Sequence, residues 1–158
     1  MSEQGKTPSA STTTVTKLMM PIDANVSGNV FGGTILKLID EVGSIAAVRH
    51  ARRNVVTASV DQMNFLAPVH IGDLLRVIAS VNHVHKTSME IGVRVEAEDP
   101  LTGKIRHTGT CYLTCVALDR NGRPTPVLPL IPETEEEKRR WAEAEVRRDH
   151  RLQHLEKT

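Results

Sequence analysis

One long helical pattern stands among strand patterns, and this limits the folds open to the chain. From Gly33 to about His50 the apolar residues Ile35, Leu38, Ile39, Val42, Ile45 and Ala46 recur at helical spacing. The apolar arc is broad, so this helix is expected to be heavily buried. The segments around it read as strands. "VTKLMMP" is short, apolar and stopped by Pro21. In "NVVTASVDQMNFLAPV", Val56, Ala58, Val60 and Gln62 share one face, and Val55, Thr57, Ser59 and Asp61 the other. Three further strands follow. Their breaks fall near His85-Lys86-Thr87 and at "DPLTGK", and "DRNGRP" ends the last one. The order is strand, one long helix, then four strands. A single sheet wrapped around one central helix fits it, although one sheet cannot cover both faces of a helix unaided. Its edge strands would invite pairing with a second copy.

The ends of the chain read differently. Residues 1–13 are rich in Ser, Thr and Gly and are expected to be a disordered tail. The folded domain is expected over 14–132, and a charged helix over 133–158. Thr134 stands three residues before Glu137, a capping-box signature. Eight acidic and seven basic residues lie in that last segment, so the signs cancel and a solvated helix is expected rather than a nucleic-acid tail.

Composition removes several function classes. A net charge of +1 and only four aromatic residues argue against nucleic acid as a partner. No run approaches the ~20 apolar residues of a membrane span, and the first fourteen residues lack the apolar core of a signal peptide. A cytoplasmic protein is expected. Cys111 and Cys115 share one strand, so their Cα atoms would be roughly 13 Å apart, beyond the reach of a disulfide. They read as buried small apolar side chains. His83 and His85 form His-x-His on a strand, but a zinc site needs further ligands and only His107 is a nearby candidate. No metal is expected.

The chemistry concentrates in "DANVSGNVFGGTILKLIDEVG". On the helical wheel Lys37, Asp40, Glu41 and Ser44 form one polar stripe. It either faces solvent, with Lys37 and Glu41 as an i,i+4 pair, or places Asp40 at its edge as a partly desolvated general base. Gly32-Gly33 either makes a tight turn or opens the helix with bare N–H groups able to hold a developing oxyanion. Asn25 and Asn29 are equal turn candidates, and spacing alone does not rank them. No phosphate-binding glycine motif and no Gly-x-Ser-x-Gly elbow is present.

Four segments in order, the one just quoted with "VTASVDQMNF", "HKTSMEIGVRV" and "VLPLIPETEEEKRR", resemble the hotdog-fold acyl-CoA thioesterases. The likeness is to the cytosolic acyl-CoA hydrolase group, with its bacterial and brain-type members, and spans roughly residues 14–148. It implies an α+β hotdog fold, a curved antiparallel sheet around one long helix. It implies hydrolysis of fatty acyl-CoA to free fatty acid and coenzyme A, with no cofactor beyond the coenzyme A of substrate and product. A non-catalytic acyl-CoA-binding protein on the same fold is the alternative. It implies a homodimer with shared sites, assembled as a hexamer of three dimers.

Residue by residue, the resemblance matches the catalytic carboxylate to Asp40 and the loop Asn of the other subunit to Asn25, not Asn29. It matches the carbonyl-binding glycine to Gly32, with Gly33 supporting the turn. Ser59 matches a polar position that helps place the water. Lys86, Thr87, Ser88 and Asn64 match positions near coenzyme A. Many members carry His where this chain has Phe31; a backbone N–H contact does not depend on that side chain.

Overall fold

A computed structural model describes residues 4–157. Five strands form one antiparallel sheet: β1 Thr13–Leu18, β2 Asn54–Phe65, β3 Leu74–His85, β4 Ser88–Glu98 and β5 Ile105–Leu118. Their spatial order is β1-β3-β4-β5-β2, so β1 and β2 are the edges. Helix α1, Gly32–Ala51, lies along one face, and helix α2, Glu135–Glu156, on the other. The helical pattern among strands leads to a sheet packed on one long helix, and this is the hotdog architecture that the resemblance implies. Among the described residues no helix is long and apolar enough to cross a membrane.

The face toward α1 is the core. Leu75, Val77, Val93, Val95, Cys111, Leu113, Cys115 and Ala117 from the strands meet Ile35, Ile39, Val42, Ala46 and Ala47 from the helix, all buried. The helix sits close because position 43 is glycine. A β-carbon there would come within 2.5 Å of Leu113 Cδ1. The helix ends at Arg52, whose backbone takes the left-handed conformation (φ 51°).

The last turn of α1 brings in a segment expected to be loose. Lys6 Nζ donates to the carbonyls of Arg49 and His50 at 3.0 and 3.1 Å, partnering groups that a helix end leaves open. The Lys6 backbone exchanges hydrogen bonds with Pro129 and Ile131 at 2.9 and 2.8 Å. Thr12 and Thr13 hydroxyls donate to nearby carbonyls of Pro8 and Ser11. The disordered tail expected over 1–13 is therefore corrected for Lys6 onward. Its hydroxyl residues serve local turns, and its backbone pairs with residues 129–131. Residues 1–3 of that tail, and Thr158 of the terminal helix segment, lie outside the described residues.

Helix α2 is capped as its sequence implies: Thr134 Oγ1 accepts from Glu137 N–H at 3.1 Å, and Glu137 accepts in return from Thr134 N–H at 3.4 Å. It is not simply a solvated helix. Glu90 on β4 is almost fully buried and is gripped by Arg147 through two bonds of 2.7 and 3.0 Å. Asn82 Nδ2 donates to the same carboxylate at 3.1 Å. The Arg147 guanidinium lies 3.7 Å over the Tyr112 ring. One turn later Arg151 binds Asp61 of β2 at 2.6 Å. The half-exposed ion pairs Arg140–Glu136 and Arg139–Glu143 flank Arg147 and line a groove between α2 and the sheet.

His83 of the His-x-His pair is also engaged here. The His83 ring packs on Trp141 of α2, centroids 4.1 Å apart, with Glu145 at 3.4 Å. His107 instead bonds locally to Gly109 O and Thr110 Oγ1.

Two stability predictions follow from these packings. Arg147→Ala leaves the buried Glu90 carboxylate with Asn82 and only the more distant Arg151, 3.7 Å away, and denaturation at fixed protein concentration is expected to show a loss of about 1.5–3 kcal/mol. A loss below 1 kcal/mol would contradict the clamp. Cys115, fully buried, has its thiol pushed from 9.0 up to about 11, mainly by burial and further by the Asp40 charge, with the Thr57 hydroxyl opposing. The folded thiol stays protonated where the unfolded one ionises. Its contribution is thus present below about pH 9 and lost as pH rises toward 11. A thiol reagent at pH 8 should leave Cys111 and Cys115 unlabelled until the protein is denatured.

Candidate active site

The loop before α1 is organised by Asn25. Its Oδ1 accepts from the N–H groups of Ser27 and Asn29 at 2.9 and 3.2 Å, and its own N–H donates to Asn29 O at 2.7 Å. Gly28 closes the turn at φ 86°, a conformation that glycine adopts without strain. With Oδ1 so engaged, the Asn25 Nδ2 amide has no partner among the described residues. Asn29 is tied inward instead: its Oδ1 bonds His70 Nδ1 at 3.1 Å, and the two residues form a backbone bridge. The two asparagines that spacing left equal are thus distinct in space.

Helix α1 then starts without a side-chain cap. Phe31 is the N-cap residue and makes no capping bond, while its carbonyl accepts from Thr34 and Ile35. The N–H groups of Gly32 and Gly33 have no partner among the described residues. The two glycines differ. A β-carbon on Gly32 would meet the Phe65 ring at 3.1 Å, whereas at Gly33 nothing lies within 4 Å. Bare N–H groups at a helix start carry partial positive charge, a suitable seat for an oxyanion.

Asp40 lies eight residues along the same helix, about 12 Å from Gly32 at 1.5 Å per residue. It is exposed in the single chain, on the polar stripe where Lys37 and Glu41 pair at 3.9 Å. Its carboxylate is nevertheless held: Thr57 Oγ1 on β2 donates to Asp40 Oδ1 at 2.6 Å. Thr57 is the site residue that sequence reading missed. It had been placed on one face with Ser59, and strict alternation made the two look equivalent.

A bulge separates them. Thr57 pairs with Cys115, but Ser59 pairs with the adjacent Thr114, so Ala58 is an extra residue. Cys115 faces α1, whereas Thr114 faces the other way. Ser59 is therefore turned to the α2 side of the sheet, beside Tyr112, Arg147 and Arg151. Ser59, expected to help place the water, thus does not face the Asp40 of its own chain: the bulge carries it to the other side of the sheet. Asn64 pairs with Thr110, is exposed, and also lies on the face away from Asp40.

The remaining expected residues, Lys86, Thr87 and Ser88, make the tight turn from β3 to β4. Lys86 is exposed at φ 23°, and its carbonyl accepts from Val127 at 2.8 Å. The neighbouring Leu128 carbonyl meets His50 Nε2 at 2.7 Å, in the last turn of α1. This turn therefore sits at the C-terminal end of the helix. Gly32 is at the other end, about 30 Å away for twenty residues. Within one chain, then, the structure joins Asp40 to Thr57 and Gly32 to Phe65. It separates the carboxylate, the bare N–H groups and the Lys86 turn.

Comparison with known proteins agrees with the fold. The family model described as "Thioesterase superfamily" matches residues 27–104. The Bacillus subtilis protein YkhA, named an uncharacterized acyl-CoA thioester hydrolase, is 43% identical over 122 residues, covering 77% of this chain and 71% of its own. A crystal structure described as an apo-hexameric acyl-CoA thioesterase superposes with a TM-score of 0.93 at 40% identity, covering 96% of this chain and 97% of its own. The Staphylococcus aureus acyl-CoA hydrolase in complex with butyryl coenzyme A and coenzyme A superposes at 0.86 with 35% identity, over 96% and 94% of the two chains. Variants of that enzyme carry Ala in place of an Asn, an Asp and a Thr. From the first to the second is fifteen positions, and from the second to the third seventeen. Asn25, Asp40 and Thr57 have the same spacing.

Proposed function

The chain belongs to the thioesterase superfamily, and we propose that it hydrolyses acyl-CoA thioesters at sites shared between two copies of itself. It is an acyl-CoA thioester hydrolase of the hotdog fold. One observation carries the shared site: Asp40, braced by Thr57, and the bare Gly32 N–H stand about 12 Å apart on one helix. A single thioester carbon cannot contact both. A second copy, its β2 edge running antiparallel to the first, brings one chain's Asp40 toward the partner subunit's Gly32. The apolar residues that β2 leaves exposed, Val56 and Val60, support that pairing.

In this arrangement the thioester carbonyl accepts from the Gly32 N–H, where the helix dipole favours the growing negative charge. Asn25 belongs to the same chain as that Gly32, and its unengaged amide faces the reaction. Asp40 of the other chain acts on the carbonyl carbon, as base to a water or directly as nucleophile. Thr57 holds one carboxylate oxygen and leaves the other to react. Coenzyme A leaves as a thiolate; with a thiol pKa of about 8.5 it needs no strong acid catalyst. The Lys86–Ser88 turn, at the far end of its own helix, lies toward the partner's helix start in an antiparallel pair. It is positioned to meet the nucleotide end of the substrate. The hexameric relative supports assembly as three such dimers.

Two experiments test this reading with free thiol as readout. Asp40→Asn and Asn25→Ala are each expected to lose about 10²–10⁴-fold in kcat. Refolded together in equal amounts they form mixed dimers with one intact site, and about a quarter of the wild-type rate should return. No recovery would place the site within one chain. Thr57→Val removes a hydrogen bond to a charged group and should lower kcat about 10–100-fold, whereas Thr57→Ser keeps most activity. Equal loss in both variants would remove the bracing role.

A further inference from the structure

We propose that Phe65 sets the acyl-chain preference of this enzyme, as the wall of an apolar cleft that receives the acyl chain beside the start of α1. The proposal rests on the thioesterase reading above. It begins from a cleft of about 410 Å³ at the N-terminal end of the helix. Val30, Gly32, Ile35, Phe65, Leu66 and Val69 line it, and Asn29 is its one polar side chain. No charged side chain lines it.

That lining chooses between the two halves of an acyl-CoA. The nucleotide end carries phosphates, which need cations or arrays of N–H donors. No cation lines this cleft: Arg106, which donates to the Pro68 carbonyl, is paired with Asp73 at 2.8 Å, and the Gly32 N–H is taken by the thioester carbonyl in the seat proposed above. A hydrocarbon chain needs only apolar surface, and each methylene taken from water favours binding. The acyl half fits the cleft and the nucleotide half does not.

Gly32 sits on the cleft wall as well as at the proposed carbonyl seat, so the acyl chain enters the cleft from the reacting carbon itself. The Phe65 ring stands at that entrance, 3.1 Å from where a β-carbon of Gly32 would be. The ring is about half exposed, so it is not a core anchor that the fold requires. The middle of the interface between α1 and the sheet is closed by Ile39, Val42, Ile91, Val93 and Leu113, each at most 2% exposed, with Leu113 pressed against Gly43. Chain length is then limited at the cleft, and a bulky ring there favours short acyl groups.

The test is kcat/KM across butyryl-, octanoyl- and palmitoyl-CoA, with inhibition by free coenzyme A measured alongside. For Phe65→Ala the palmitoyl-to-butyryl ratio of kcat/KM is expected to rise at least about tenfold, with coenzyme A inhibition unchanged. Phe65→Leu, which keeps an apolar side chain there, should move the ratio in the same direction by less, and it carries the test if the Ala variant does not fold. An unchanged ratio in both variants would overturn the proposal, as would weaker coenzyme A inhibition with a uniform rise in KM, which would put the ring at the nucleotide end. If the unaltered protein hydrolyses none of the three, the thioesterase reading itself fails, a result distinct from an active enzyme whose preference ignores Phe65.

Discussion

The contact of Gly43 with Leu113 governs how the rest of the molecule is arranged. A β-carbon at position 43 would stand 2.5 Å from Leu113 Cδ1, so either that buried side chain would have to turn away or the helix would have to shift on the sheet. Held at this depth, α1 buries Ile39, Val42, Ala46 and Ala47 completely or nearly so. Its rotation is then no longer free. Asp40 emerges at the edge of the buried arc, beside the outermost strand, where Thr57 can reach it. At the start of the helix, Gly32 comes down on Phe65. Both site contacts are made to β2, the strand at the sheet edge.

That strand does its work through an irregularity. Regular alternation would have set Thr57, Ser59 and Asp61 on one side. The extra residue Ala58 leaves Thr57 facing α1 and sends Ser59 and Asp61 to the α2 side. One strand thereby braces a carboxylate on its front and receives an arginine on its back. A bulge costs a ladder hydrogen bond and bends the strand, and such features are common where a side chain must be re-aimed.

Much of this architecture was legible beforehand. The 35, 38/39, 42, 45/46 spacing located the helix to within a residue or two of its ends, and the breaks at Lys86 and "DPLTGK" marked the strand turns. Periodicity suffices there because burial on one side imposes it. Asp40 was harder. Its wheel position fitted a solvent stripe, and in the single chain it does lie on one; only the family resemblance brought it forward. Thr57 was not legible, because a bulge has no composition signal in "VTASVD". The ordering of Lys6–Thr13 was hidden for another reason. Its partners, residues 129–131 and the end of α1, are distant in sequence, and Ser/Thr-rich composition describes only the local tendency.

The grip of Arg147 on Glu90 has a consequence for how relatives of this chain can differ. A carboxylate this deeply enclosed is tolerable only while its cation is present. Both cations that face it, Arg147 and Arg151, come from α2. Glu90 and α2 are thus a heritable unit. A lineage that sheds the helix must also replace the acid, and one that keeps the acid is committed to the helix. The residue at position 90, near the start of β4, reports on whether a segment more than fifty positions later is still in place.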